Sequence, residues 1–443
     1  MHKVVILGAG MVAKPIADYL LENNIELTIA SRTVSKAEAL INGRPNGKTI
    51  AWTMDQLEVL EKMVKENDLV VSLLPYTHHV MVAKLCIQYK KNMVTTSYVS
   101  DEMRALDQEA KNAGIIILNE IGVDPGYDHM TAMRIIDRIH NEGGEVEEFY
   151  SLCGALAAPE AANNPLRYKF SWSPRGVVMA GNNDATFLKD GETITIPTED
   201  LFKKPLQINF PEIGDMEVYP NRDSLDYINI YGIPKVKTMY RGTFRYRNWC
   251  SSLDGLKALN LTSYQEMDLT GKSYADFVAE VSGLDTSSDI KSQVARKLDL
   301  NEGNEVVEAM EWLGLFSSKP VHKEKASPFD IIADLMQKKM MLGQDERDMV
   351  IMQHIFTVKN KHGERKLIKS SMLDFGDNQY TSIAKTVAWP AAIAVTMILN
   401  GSITLKGVHI PIEQNIYEPI LEKLEALGIT MKEEDDLALS EKL

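Results

Sequence analysis

Short apolar runs punctuate the first 125 residues: VVILG (4–8), ELTIA (26–30), LVVSLLP (69–75), NMVTTSY (92–98) and GIIILNEIG (114–122). Between them lie stretches with helical periodicity, such as Val12 to Asn23 and Asp55 to Glu66. Strand and helix in turn predict a parallel sheet with helices on both faces. Strands that are apolar almost throughout suit a sheet buried on both sides. After GVDPGYDH the pattern changes. Residues 144–250 are richer in Pro, Asn, Gly and aromatics, with β-like pieces such as EEFYSLCG and MYRGTFRYR. Residues 252–344 are strongly helical. MVIMQHIFTVKN (349–360) and RKLIKSSMLDFG (365–376) predict a hairpin around KHGE. The stretch Ile383 to Leu399 is apolar almost all round, which predicts a buried helix. A helix pair near YEPILEKLEALG is expected next, ending in a solvated run, Glu433 to Asp436. No internal repeat or low-complexity linker interrupts this order.

Composition narrows the function. A chain of 443 residues has room for about two to three domains. Its formal net charge of −14 argues against a nucleic-acid partner. An anionic substrate would then need local arginines, because the global field repels it. The three cysteines, Cys86, Cys153 and Cys250, are far apart and in no CxxC pair, so neither a disulfide framework nor a metal site is expected. The N-terminus leads straight into a strand, with no signal peptide expected. The run Val387 to Leu399 is short for a bilayer and holds Pro390. These features predict a cytoplasmic protein without a membrane partner.

The first motif with chemistry is Gly8-Ala9-Gly10-Met11-Val12-Ala13, a G-x-G-x-x-A between strand and helix. Gly8 permits the tight turn, Gly10 lets the backbone approach a pyrophosphate, and Ala13 lets helix and strand pack closely. The helix N-terminus offers free N–H groups to phosphate. At the end of the second strand, where an NAD enzyme carries an acid, stand Ser31, Arg32 and Thr33. A guanidinium and two hydroxyls suit a 2′-phosphate, which favours NADP. Leu74, Pro75 and Tyr76 follow the fourth strand, where the middle of a dinucleotide would lie. His78 and His79 beside them read as surface or helix-start residues.

Ser97 and Tyr98 end the fifth strand, Asp124 follows the sixth, and Cys153 is expected beside a Gly-Ala-Leu turn. Ligands of open α/β sheets collect at such strand ends. KFSWSPRGV (169–177) sets Trp172 among turn-forming and cationic residues without helical or strand period. These residues carry a resemblance. PYTHH, VTTSYVS, NEIGVDPGYDH, CGALAAPE, NNPLRYKFSWSPRGV, YPNRDS, RGTFRY and ERDMV occur in order between residue 4 and about 400. Together they resemble the saccharopine reductase family, the glutamate-forming, NADP-type saccharopine dehydrogenases. The chain departs from the family's usual CGGLPAPE at CGALAAPE.

The resemblance implies three lobes: a Rossmann domain at 1–125 completed by about 378–443, a mixed-sheet substrate domain at 126–257 plus 345–377, and a helical insertion at 258–344. It implies a homodimer. It also implies reversible conversion of saccharopine, NADP and water to L-glutamate, α-aminoadipate semialdehyde and NADPH. A substrate with several carboxylates needs cations, and Arg222 and Arg245 are the candidates; each would otherwise be a structural ion pair. Ser97, Tyr98 and Thr243 would hold remaining carboxylate oxygens. Asp124, Tyr98 and Cys153 correspond to the polar cluster the family places near the nicotinamide. Trp172 would lie as a flat cover over the nicotinamide, with Lys169, Ser171 and Ser173 as cleft-side polar groups, presented by a turn at Asn163, Asn164 and Pro165. Two other readings stand beside this one. One is a related amine or imine dehydrogenase, such as a lysine 6-dehydrogenase. The other is a non-catalytic NADP-binding regulator.

Overall fold

The run Lys3–Leu7 (β1) has four consecutive buried residues, as a strand covered on both faces must. In the computed structural model, which describes residues 1–287 and 289–442, β1 is central in a seven-stranded parallel sheet. Glu26–Ser31 (β2) and Gly47–Ala51 (β3) lie on one side. Leu69–Ser72 (β4), Asn92–Thr95 (β5), Ile116–Leu118 (β6) and Gly407–His409 lie on the other. The crossover direction reverses between β1 and β4, which opens a crevice at their carboxyl ends. β3 has no apolar run because it is an edge strand whose residues are all partly or fully exposed. Gly407–His409 is too short to show a period.

The chain divides into two compact units: residues 1–144 with 376–432, and residues 145–375 with 433–443. These differ from the three expected lobes. The helix Tyr127–Asn141 belongs to the first unit, where Asp137 accepts from the Tyr417 hydroxyl at 2.6 Å and Arg134 pairs with Glu418 at 3.0 Å. Segment 376–400 is fastened to the helix Ala13–Glu22 (α1) through Asp18. Its buried carboxylate accepts from Lys14 Nζ at 2.7 Å, Arg44 Nη1 at 2.6 Å and the Tyr380 hydroxyl at 2.8 Å. Burial pushes the Asp18 pKa up, but these donors outweigh it and hold the carboxyl below its ordinary value. The helix Ser382–Leu399 is long and apolar enough to cross a membrane by length and composition, contrary to the expected shortfall. It is 78% buried within the protein and packs against α1 and the helix Gln414–Ala426. The expected C-terminal helix pair is that one helix. The run Glu433 to Asp436 is part of an exposed strand, Lys432–Leu437, at the edge of the second sheet.

The second unit is built on a mixed nine-stranded sheet. At its centre, Thr238–Tyr246 runs parallel to Glu145–Ala157 (β7), and Asp348–Lys359 runs antiparallel to β7. The expected hairpin is present: Asp348–Lys359 pairs with Arg365–Phe375 along their whole lengths. Alternation assigns the two faces. Tyr240, Phe244 and Tyr246 join Leu152, Leu156, Met349 and Ile351 in the apolar core. The intervening residues turn the other way, so register lines up Arg241 with Ser151 and His354, and Thr243 with Cys153 and Met352. Helices from 258–344 add Phe277, Val294, Met310 and Phe329 to the same core. They pack on the core of this unit.

Cys153 does not sit beside a turn. β7 continues straight through Gly154, Ala155 and Leu156 to Ala157. A Cβ on Gly154 would meet Phe244 Cβ at 2.7 Å, so this glycine serves close strand packing.

Candidate active site

In the first unit the candidate residues gather at the carboxyl end of the parallel sheet. Gly8 has φ +113°, and a Cβ there would come within 3.1 Å of the Leu73 carbonyl oxygen. That glycine is needed for the turn itself. Gly10, in contrast, is exposed and would have nothing within 4 Å of an added Cβ. The space beside it suits a ligand, and packing alone does not require a glycine there. α1 begins at Ala13, and its N-terminus has no side-chain cap and no acid in the first turn. Met11 is half-exposed, Val12 partly buried, and Ala13 buried against the sheet. The Ala13 N–H turns back to the Gly10 carbonyl at 3.1 Å, and the N–H groups of Met11 and Val12 with the positive dipole end fit a pyrophosphate.

Ser31 ends β2, and Thr33 immediately precedes the helix Val34–Ile41 (α2). The Thr33 N–H donates to Ser31 Oγ at 3.2 Å, which folds the turn around Arg32. Arg32 is exposed and has no carboxylate partner among the described residues. A guanidinium left open beside two hydroxyls fits a 2′-phosphate. Leu74 is partly buried, and Pro75 and Tyr76 are exposed, in the loop after β4.

The second cluster in this unit is held by backbone bonds between residues 95–99 and 119–127. Glu120 N–H donates to the Ser97 carbonyl at 3.1 Å, and Val99 N–H donates to Glu120 Oε1 at 2.9 Å. Glu120 Oε2 meets His129 Nε2 at 2.7 Å, both side chains buried. Gly126 closes the loop at φ +142°, where a Cβ would collide with Gly122 backbone at 2.3 Å. So fixed, the loop brings Asp124 Oδ1 to the Tyr98 hydroxyl, which donates to it at 3.1 Å.

Ser97 Oγ meets His79 Nε2 at 2.9 Å. Here the reading of the histidines needs correction. His79 does begin a helix, His79–Tyr89, but it is not a surface residue: it is 3% exposed. Its Nδ1 meets Ser72 Oγ at 2.9 Å, and Thr95 Oγ1 lies 3.3 Å from its Nε2. Burial, with the neighbouring His78 charge, pushes the His79 pKa down to about 4. The unfolded chain therefore takes up this proton near pH 6.5 and the folded one only near pH 4. Stability from this group is complete above pH 6.5 and is lost as pH falls toward 4, by about 2 kcal/mol at pH 5. Urea denaturation of His79→Gln, compared with the parent between pH 7.5 and 5, is expected to show that slope removed (the pH values bracket the ordinary histidine range, ~6.5).

The second unit contributes the cations. Arg245 is 3% exposed. Its Nη1 donates to the Phe244 carbonyl at 2.8 Å and its Nη2 to the Tyr219 hydroxyl at 3.4 Å. Three rings surround it, with Cζ 5.0 Å from the Tyr168 centroid, 5.4 Å from Trp249 and 5.6 Å from Tyr219. No carboxylate pairs with it among the described residues, which removes the structural ion pair as its explanation. Arg245 Nε and Trp249 Nε1 are buried donors without hydrogen-bond partners among the described residues, and Trp172 Nε1 lies against the Tyr168 hydroxyl. Burial raises the Tyr168 pKa against the pull of the Arg245 cation, so this hydroxyl keeps its proton. A cation amid unpaired donors is a set that an anion would satisfy.

Thr243, two residues before Arg245, shares its face, is partly exposed and pairs in register with Cys153 and Tyr219. Arg222 is exposed with φ +52°, its carbonyl accepting from Thr186 N–H at 2.8 Å. Trp172 is half-buried against the apolar core. Asn164 builds the expected turn, donating to the Tyr168 carbonyl at 2.8 Å. Two neighbours of Trp172 differ from expectation. Lys169 is tied up by Glu346, and Ser173 caps the helix Pro174–Ala180 by accepting from Gly176 N–H at 3.2 Å. Ser171 is buried. Among the described residues no cluster of His, Cys, Asp and Glu could hold a metal.

Comparison with known proteins decides the family. A model of the saccharopine dehydrogenase NADP binding domain matches residues 4–118, and one of the saccharopine dehydrogenase C-terminal domain matches residues 122–429. The chain belongs to the saccharopine dehydrogenase family. It is 40% identical over 450 aligned positions to the NADP(+), L-glutamate-forming saccharopine dehydrogenase of Schizosaccharomyces pombe, covering 98% of this chain and 99% of that one. It is 37% identical to the mitochondrial alpha-aminoadipic semialdehyde synthase of Bos taurus, covering 96% of this chain but 47% of that protein. The apo saccharopine dehydrogenase (L-Glu forming) of Saccharomyces cerevisiae superposes with a TM-score of 0.90 at 34% identity, covering 99% and 100% of the two chains. Within this family frame, three features were not read from sequence: buried His79, the aromatic ring set around Arg245, and Arg241. Arg241 was legible, since MYRGTFRYR alternates and puts Arg241, Thr243 and Arg245 on one face.

Proposed function

We propose that this protein interconverts saccharopine, NADP and water with L-glutamate, α-aminoadipate semialdehyde and NADPH. The observation that carries this reading is the end-to-end similarity, at 40% identity, to an enzyme named for that reaction. NADP, when bound, supplies the hydride acceptor. The uncapped start of α1 holds its pyrophosphate, with Gly8, Gly10, Met11, Val12 and Ala13 forming the turn. Ser31, Arg32 and Thr33 take the 2′-phosphate, and Leu74, Pro75 and Tyr76 line its middle.

In the second unit, Arg245 and Arg222 bind substrate carboxylates and Thr243 donates to their remaining oxygens. Buried Arg245 binds a carboxylate strongly because its guanidinium is already out of water and the low dielectric strengthens the pair, so only the carboxylate sheds hydration on binding. In the first unit, Ser97 and Tyr98 contribute hydroxyls. Asp124 accepts the Tyr98 proton, which orients that phenol. Imine hydrolysis adds water to carbon and then moves a proton to the departing amine, and Asp124 and Tyr98 are groups that can hold or pass it. Cys153, beside Thr243 in register, lines the second unit's substrate face as a thiol. The enzyme acts as a homodimer in the cytoplasm, a setting consistent with three buried cysteines that form no disulfide among the described residues.

The test is the near-ultraviolet absorbance of NADPH when the purified protein meets saccharopine, with NADP and NAD in parallel. Rapid growth with NADP and slow growth with NAD is expected. No growth with either, from folded protein that binds NADPH, would overturn the reaction.

A further inference from the structure

We infer that Ser72, His79 and Ser97 form a one-way hydrogen-bond chain in which His79 is a positioning residue, turning the Ser97 hydroxyl into a committed donor toward a ligand oxygen. The inference rests on the reaction proposed above for what that ligand is, but not for the direction of the chain.

The direction follows from accounting for one proton. Ser72 ends β4 and is fully buried. Among the described residues its hydroxyl has one partner, His79 Nδ1 at 2.9 Å. A buried hydroxyl whose proton finds no acceptor is costly. If Nδ1 carried the imidazole proton, it would donate to Ser72 Oγ and strand the Ser72 proton. If Nδ1 is the acceptor, Ser72 donates to it at 2.9 Å; the Thr95 hydroxyl, 3.3 Å from Nε2, is beyond ordinary O–H···N reach and weighs little between the two tautomers. A neutral imidazole has one N–H and one acceptor nitrogen, so the proton is then on Nε2. The charge that reaches the ring is that of His78; the partners supplied by β4, β5 and the residues just after β5, Ser72, Thr95 and Ser97, do not titrate in this range.

The Nε2 side agrees with that assignment. Two hydroxyl oxygens face it, Ser97 Oγ at 2.9 Å and Thr95 Oγ1 at 3.3 Å. Ser97 Oγ is the nearer of the two and is partly exposed, so it can accept the Nε2 proton and still turn its own proton outward, which buried Thr95 cannot. Ser97 Oγ therefore accepts from His79, and its own proton points elsewhere. Ser97 is partly exposed at the carboxyl end of the parallel sheet, so that proton is available to a bound acceptor. The acceptor is a carboxylate oxygen of the amino-acid substrate or the carboxamide oxygen of the nicotinamide. Both present the same chemistry.

Two readouts test this. In full-length protein with ¹⁵N-labelled histidine, the His79 ring, assigned by its loss in His79→Gln, is expected as the neutral Nε2–H tautomer. The Nδ1–H tautomer, or an imidazolium, at neutral pH would overturn the chain's direction. In Ser72→Ala, which keeps the imidazole, an Nδ1–H population is expected to appear, and its absence would also count against the direction. In kinetics, His79→Gln places an amide N–H near the former Nε2 and is expected to stay within about threefold of the parent, whereas His79→Asn, which cannot reach, is expected to raise one KM by about tenfold. A rise confined to saccharopine identifies a carboxylate as the acceptor, and one confined to NADP identifies the carboxamide. Ser97→Ala is expected to give the same rise, and Ser97→Ala with His79→Asn no more than Ser97→Ala alone. Independent, multiplying effects would overturn the proposal, as would equal damage by Gln and Asn. If the parent is silent with saccharopine, the proposed reaction fails while the tautomer measurement still judges the chain. If the parent turns over and the His79 series is flat, the chain alone fails.

Discussion

Arg245→Met is expected to remove most substrate turnover while leaving the protein as stable as the parent or more so. The two effects have opposite signs for one reason. Arg245 is a cation buried to 3% exposure that makes no ion pair among the described residues, its register neighbour Glu217 staying outside pairing distance. Taking a charge out of water without a directly paired opposite charge costs several kcal/mol, which the carbonyl, the Tyr219 hydroxyl and three aromatic faces offset only in part. Methionine keeps much of the stem's volume and removes the unpaired charge, so folding stability is expected to rise by about 1–3 kcal/mol in urea denaturation. Activity moves the other way. A substrate carboxylate that loses a buried guanidinium loses a charge-assisted bond and leaves Tyr168 and Trp249 donors without the anion that organises them. Saccharopine kcat/KM is expected to fall by roughly 100- to 1000-fold, with the KM for NADP unchanged. A variant that loses stability and keeps activity would instead make Arg245 a structural residue.

That arginine also marks what was legible in the sequence. RGTFRY identified Arg245 as a cation on a strand, and alternation told which residues share its face. The sequence did not show that Tyr168 and Trp249, far from it in the chain, wrap it, because no local period encodes a meeting of distant segments. The same holds for His79. A histidine at a helix start looks solvated, and only the parallel packing of β4 beside β5 brings Ser72, Thr95 and Ser97 around it. Features set by local geometry were readable: the Gly8 turn, the uncapped start of α1, and the hairpin of 348–375. Cys153 failed for the opposite reason. Gly-Ala-Leu looks like a turn by composition, yet Gly154 is a strand residue selected by the approach of Phe244. The boundaries of the two contact-defined units follow packing, which no local pattern encodes. The helix Tyr127–Asn141 is covered by Gln414–Ala426, and the strand Lys432–Leu437 extends the second sheet's edge.

Arg32→Asp is expected to invert the cofactor preference. The turn after β2 offers Arg32 exposed and without a carboxylate partner, flanked by Ser31 and Thr33, at the position where the second strand of a dinucleotide fold meets the adenosine ribose. With NADP, the guanidinium faces a 2′-phosphate carrying nearly two negative charges. Opposite unit charges at 4 Å attract by about 4 kcal/mol at an effective dielectric of 20, and less at an exposed site in salt. An aspartate there turns attraction into repulsion and also removes the forked donor. NADP kcat/KM is expected to fall by roughly 100- to 1000-fold. NAD carries a 2′-hydroxyl at that point, and a carboxylate accepts its proton well, so NAD kcat/KM is expected to rise by about tenfold. Because Arg32 forms no ion pair among the described residues, thermal stability without cofactor is expected to stay within about 0.5 kcal/mol of the parent. The discriminating measurement is the ratio of the two kcat/KM values at low and high salt. Attraction between exposed charges weakens with screening, so the parent's preference for NADP should narrow as salt rises, and the aspartate variant's discrimination against NADP should narrow as well. A preference that ignores both the substitution and the salt would mean that the 2′-phosphate is read by other residues, with Ser31 and Thr33 the next to be replaced.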